Sequence, residues 1–245
     1  METVRSADGT DLACEVDGTG SPIVLVGGAF STKERAVPLA ELLPERTVVR
    51  YDRRGRGESG AVPPYDVHRE VEDLAAVLTL VPGADVYGES GGGGVALLAA
   101  TAGVRMARLV VHEPPFGAPS WPGLAEALQA DLAAGDRSAA VKRFLAAAVE
   151  APDDVLADAE SWPDWPYVVA QAEALPWDLA VIDAVRDLRA SIDVPTLVLH
   201  GDRTHAWVPA AMAELARRIG ADVAVLPDQE HGVDPAAVAP YLRPA

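Results

Sequence analysis

Apolar positions in this chain fall into short continuous runs broken by glycine-rich and polar turns, a rhythm that predicts strands alternating with helices. Segments 3–6 and 12–16 alternate apolar and polar positions around Ala7-Asp8-Gly9-Thr10, which predicts a hairpin. Segments 22–26 and 47–51 are nearly continuous apolar runs, as expected of strands buried on both faces. Segments 84–87, 108–112, 196–200 and 222–226 read as further strands. Between them, Val71, Leu74, Ala75 and Leu78 recur at helical spacing, and an alanine-rich helix is expected from Gly91 to about 102. Residues 36–43, 208–219 and 235–243 also read as helices.

The strand rhythm stops between about 116 and 190. That stretch reads as helices near 122–134, 137–149, 152–160, 165–174 and 178–190, and it holds Trp121, Trp162, Trp165 and Trp177. The expected fold class is therefore α/β: a mainly parallel twisted sheet of about eight strands with helices on both faces. A helical cap, residues 116–190, is inserted after the sixth strand, and residues 1–115 and 191–245 form the core.

Composition narrows the function classes. The 245 residues suffice for one large domain, and 49% of them are hydrophobic, so disorder is not expected. A formal charge of −17 argues against a nucleic-acid partner, since phosphate binding needs clustered cations. Cys14 is the only cysteine, so no intrachain disulfide can form, and no Cys/His cluster has metal-ligand spacing. The charged N-terminal segment has no signal-peptide apolar region, and no apolar run approaches membrane-spanning length. A cytoplasmic monomer or homodimer that acts on a small molecule, with no membrane partner, no metal and no cofactor, is the expectation.

The chemistry centres on Gly88-Glu89-Ser90-Gly91-Gly92, placed between a strand and a helix. A serine hydroxyl is a weak nucleophile and needs an adjacent base and donors for the oxyanion. Small residues two positions on either side let a strained turn close and expose the serine. Ser59, in Gly57-Glu58-Ser59-Gly60, lacks that strand–turn–helix setting and reads as a loop serine.

With the elbow in place, the chain resembles the α/β-hydrolase family over nearly its whole length. Leu25-Val26-Gly27-Gly28-Ala29-Phe30 stands where the family has its oxyanion loop. Tyr51-Asp52-Arg53-Arg54-Gly55-Arg56-Gly57-Glu58-Ser59 is similar to the family's Asp-x-Arg-Gly-x-Gly-x-Ser segment. Leu226-Pro227-Asp228-Gln229-Glu230-His231-Gly232 resembles the loop that carries the catalytic histidine. The resemblance implies Ser90 as nucleophile, His231 as base, and oxyanion donors at the N–H groups of Ala29 and Gly91. His68, His112, His200 and His205 are poorer candidates for the base: His68 reads as an exposed helix start, His200 as a core residue and His205 as a pocket residue. His112 lies on the wrong loop.

One element departs from the family pattern. In Gly201-Asp202-Arg203-Thr204 the usual acid position is occupied by Thr204, which carries no charge. Glu113, in His112-Glu113-Pro114-Pro115, follows the sixth strand and keeps the Ser, acid, His order along the chain. Some relatives place the acid after that strand. Asp202 is a second candidate, and a dyad or an impaired site a third. The expected pocket residues are Phe30, Phe116, Trp121, Trp177 and Trp207, although tryptophans of a small helical cap also serve as its core. Arg53, Arg54 and Arg56 read as structural ion pairs. The expected activity is hydrolysis of a carboxylic ester, lactone or thioester through an acyl-enzyme on Ser90. Alternatives on the same fold are a lyase, a cyclase or a cofactor-free oxygenase, or a small-molecule-binding sensor with a degenerate site.

Overall fold

In the computed structural model, which describes residues 1–244, eight strands form one sheet in the order β1-β2-β4-β3-β5-β6-β7-β8. The last residue of the expected core, Ala245, lies outside the described residues. The hairpin strands β1 (Glu2–Arg5) and β2 (Asp11–Asp17) are antiparallel, and β2 is antiparallel to β4 (Arg46–Tyr51). From β4 onward, β3 (Ser21–Val26), β5 (Asp85–Glu89), β6 (Leu109–His112), β7 (Thr196–Gly201) and β8 (Asp222–Leu226) pair in parallel. The continuous apolar runs are the central strands: Ile23, Val24, Leu25 and Val26 are buried, as are all four residues of β6.

Helices cover both faces, which a parallel sheet requires because each crossover must return over the sheet. On one face lie α2 (Val67–Leu78), α3 (Gly91–Thr101) and α9 (Val208–Ile219), packed on Val24, Val26, Val86 and Val111. On the other lie α1 (Val37–Glu41) and α10 (Pro235–Leu242), packed on Ile23, Leu25, Tyr87 and Leu199. Asp66 caps α2 by accepting from the His68 N–H, and Asp234 caps α10 by accepting from the Ala236 N–H.

Every element described between β6 and β7 is helical: α4 (Leu124–Ala133), α5 (Arg137–Ala148), α6 (Asp153–Ala157), α7 (Trp165–Ala170) and α8 (Leu175–Val185), with short 3-10 turns between. The 152–160 and 165–174 predictions each split into a shorter helix and a 3-10 turn, and α8 starts at Leu175 rather than 178. These segments share a core of their own around Leu128, Val141, Phe144, Trp165 and Leu175. Helix α8 belongs to both layers: Val181 packs on the sheet-side core, and Leu179 and Ile182 on the helical one.

Candidate active site

The sharp turn at the end of β5 is forced by its glycines. A Cβ on Gly88 would lie 2.7 Å from the Gly92 carbonyl oxygen, and one on Gly92 would lie 2.2 Å from the Val26 oxygen. Only glycine lets β5, α3 and β3 approach this closely. Ser90, at the tip, takes φ +50°, a left-handed value that costs energy for any side chain-bearing residue. Phe30 (φ +59°) and Glu113 (φ +41°), on the neighbouring loops, also have positive φ.

These loops bring three side chains into a hydrogen-bond chain. His231 Nε2 lies 3.2 Å from Ser90 Oγ, and His231 Nδ1 lies 2.7 Å from Glu113 Oε2. An ionised carboxylate only accepts, so Nδ1 carries the proton and Nε2 accepts from the serine hydroxyl. Glu113 receives two further hydrogen bonds: Thr204 Oγ1–H donates to Oε2 at 2.7 Å, and the Gly201 N–H donates to Oε1 at 2.9 Å. Burial pushes the Glu113 carboxyl up, but His231, His112 and the Gly201 N–H outweigh it and carry the pKa down to about 2. His112 lies at the back of this cluster, fully buried with neither ring nitrogen hydrogen-bonded among the described residues and its Nε2 3.9 Å from Glu113 Oε1. Burial lowers its pKa to about 4, so it is neutral at pH 7.

Asp202, the alternative acid, is exposed and does not reach His231. Its backbone N–H bonds to the Leu226 carbonyl, which turns the loop so that Thr204, two residues on, faces Glu113. The Ala29 and Gly91 N–H groups take no backbone partner among the described residues. They lie close together, since a Cβ on Gly91 would be 3.9 Å from the Ala29 nitrogen. Gly91 also opens α3, where the helix dipole favours negative charge.

A cavity of about 250 Å³ lies above this cluster, under the helical segment. Of the expected pocket residues, Phe30, Trp121 and Trp207 line it. Phe116 and Trp177 do not. The Pro114-Pro115 turn sends Phe116 down into the sheet-side core, where the Arg218 guanidinium covers its ring at 5.0 Å. Trp177 precedes Asp178 on α8, and successive helix residues point about 100° apart. Asp178 faces the site, so Trp177 faces away and stacks on Tyr65 at 4.8 Å over Gly55. Lining residues outside the expected set include Phe144, Leu145, Ala148 and Trp162. The spacing of Phe144 and Ala148 on a helix was a usable signal, because it puts both on one face. His205 also lines the cavity; its ring lies 6.0 Å from that of His231 and its Nδ1 3.2 Å from Glu150 Oε2 on the cap side.

The arginines after β4 are buried beneath the site, and each is ion-paired. Arg53 grips Glu70 with Nε and Nη2 at 2.6 and 2.7 Å and meets Asp178 at 3.0 Å. Arg56 meets the same Asp178 oxygen at 2.7 Å. Arg54 binds Asp73 and Asp8. Among the described residues no cluster of three or more His, Cys, Asp or Glu side chains is placed to hold a metal ion. No described helix is long and apolar enough to cross a membrane.

Comparison with known proteins agrees with this architecture. The model of the alpha/beta hydrolase family matches residues 23–245. An alpha/beta hydrolase from Sphaerobacter thermophilus DSM 20745 is 45% identical, with 98% of each chain covered and a TM-score of 0.93. A hydrolase from Pseudomonas aeruginosa PA01 is 28% identical over 94% of this chain and 91% of its own, with a TM-score of 0.74. The enol-lactonase from Burkholderia xenovorans LB400 is 26% identical over 91% and 90%, with a TM-score of 0.72. No curated protein sequence matches the chain. On its sheet order, its helical insertion and a family match over nearly its full length, the chain belongs to the alpha/beta hydrolase family.

Proposed function

We propose that the protein is a serine hydrolase that cleaves a carboxylic ester, lactone or thioester with an apolar acyl or alcohol part. The observation that carries this reading is the hydrogen-bond chain from Glu113 through His231 to Ser90, which ends on a strained elbow beside two unfilled N–H groups. In this reading Ser90 Oγ attacks the carbonyl carbon while His231 Nε2 takes its proton. Glu113 holds the imidazole in the required tautomer and stabilises the imidazolium. The Ala29 and Gly91 N–H groups receive the oxyanion. His231 returns the proton to the leaving group, and water then releases the acyl group by the same route. The likeness to the Pseudomonas hydrolase and the Burkholderia enol-lactonase supports hydrolysis, and the second keeps lactones among the candidates.

The cavity suits a substrate part somewhat larger than one ring, since an apolar cavity of about 150 Å³ takes one benzene. The test is covalent. A fluorophosphonate probe should label the wild type and leave Ser90→Ala unlabelled, and 4-nitrophenyl butyrate should be turned over by the first and not by the second. Absence of label on the wild type sinks the reading.

A further inference from the structure

A second cavity, of about 380 Å³, lies beside the first on the α1 and α10 face of the sheet. Its walls include Leu25 from β3, Leu39 from α1, Tyr87 from β5 and Val238 from α10. Four residues line both cavities: Ser31, Arg35, Glu89 and Gly232. Glu89 reaches this face because side chains alternate along a strand, so it shares the side of Tyr87, two residues earlier.

The charges at this junction are unevenly matched. Lys33 is paired with Asp52, Glu58 and Glu34, and Arg35 with Asp164. The Glu89 carboxylate makes no ion pair or hydrogen bond among the described residues. Burial pushes its carboxyl above the ordinary range against the pull of His231 and Arg35. Its side chain is part-buried and opens onto both cavities, so a cationic group that enters there meets it directly. The chain's formal charge of −17 draws cations toward its clefts and repels anions.

We infer that the Glu89 cavity is a second substrate subsite, which takes a part bearing a cationic nitrogen while the apolar part lies under the helical cap. The inference rests on Ser90 as nucleophile, because it is the elbow that places Glu89 one residue from the bond to be cleaved. The ligand class is an ester or lactone with an ammonium or guanidinium group a few bonds from its carbonyl. Glu89 then sets specificity through a charge-assisted hydrogen bond.

Two isosteric esters test it: 4-nitrophenyl 6-aminohexanoate and 4-nitrophenyl heptanoate, which differ by an ammonium in place of a methyl. The wild type should favour the ammonium ester in kcat/KM by about tenfold or more, the worth of one hydrogen bond to a charged group. In Glu89→Gln that ratio should fall below one, and Glu89→Met serves if Gln does not fold. Preference of the wild type for heptanoate, or an unchanged ratio in the variants, overturns the subsite while fluorophosphonate labelling of Ser90 leaves the hydrolase reading standing. If the wild type takes no label and turns over neither ester, the hydrolase reading fails and calorimetry with butylammonium against butan-1-ol decides. Butylammonium binding that Glu89→Gln abolishes supports a cation site; equal binding of the two, or none, overturns it.

Discussion

Glu113 is met by three donors from three directions: the His231 ring, the Thr204 hydroxyl and the Gly201 N–H. Exchanging it for Gln keeps the shape but removes the charge and favours the wrong histidine tautomer. Glu113→Gln should lower kcat on 4-nitrophenyl butyrate by about 10⁴-fold, as in other Ser-His-acid sites, while Asp202→Asn stays near wild type. The role of Thr204 was hidden in the sequence. There it is only a neutral residue at an acid position; in the fold its hydroxyl donates to Glu113. That contact joins residues 91 positions apart, and no local pattern encodes such a pairing.

Acid stability follows from the same cluster. The Glu113 pKa is depressed by folding, so its contribution is present above the unfolded value near 4.5 and is lost as pH falls toward about 2. The His112 pKa is also depressed, from 6.5 to about 4, so the unfolded state binds the extra proton and stability falls as pH drops through that window. His112→Leu should flatten the pH dependence of Tm between 6.5 and 4 and leave the limb below 4 in place. An unchanged slope between 6.5 and 4 would count against a buried neutral imidazole.

At the scale of elements, α3 is the least ordinary helix. It opens with four glycines, each of which weakens a helix by about 0.5–1 kcal/mol relative to alanine. Burial of Val95, Ala96, Leu97 and Ala99 offsets that cost. The glycines differ in kind. Gly92→Ala should unfold the elbow, because its methyl would meet the Val26 and Gly27 oxygens at 2.2 and 2.5 Å. Gly91→Ala should fold with a near wild-type Tm, since its nearest contacts are at 3.6 Å. Circular dichroism melts of the two variants compare them directly. Strands β3, β4, β6 and β7 were legible because burial writes them as mostly apolar runs. The swap of β3 and β4 in the sheet order was not, since neither run says which neighbour it joins. The pocket was half legible for a similar reason. Trp121 and Trp207 line it and Trp177 does not, and that depends on how α8 is turned by Asp178.

Across the whole molecule, the tie between helical cap and core is ionic as well as apolar. Asp178 comes from α8, Arg53 and Arg56 from the loop after β4, and Glu70 from α2, and all four are nearly inaccessible. Removing one partner strands the others in a low-dielectric interior. Arg53→Met should therefore destabilise by about 3–5 kcal/mol, read from denaturant melts. High salt should change wild-type stability little at this site, because buried pairs are poorly screened.

The helical segment enters after β6 and leaves before β7, and those two strands are neighbours in the sheet. The whole segment is thus one long detour within a single crossover, and its length puts no demand on the register of any strand. Helix α8 packs on the sheet-side core and carries Asp178, while α5 and α7 reach the core loops through Phe144 on Phe30 and Tyr167 on Thr32. The stretch from α4 to α7 meets the core at the loop residues Phe30, Thr32, Arg35 and His205, so changes there bear on those contacts and not on strand pairing. A change of length there would reshape the chamber over Ser90 without shifting the strand register that brings Ser90, Glu113 and His231 together.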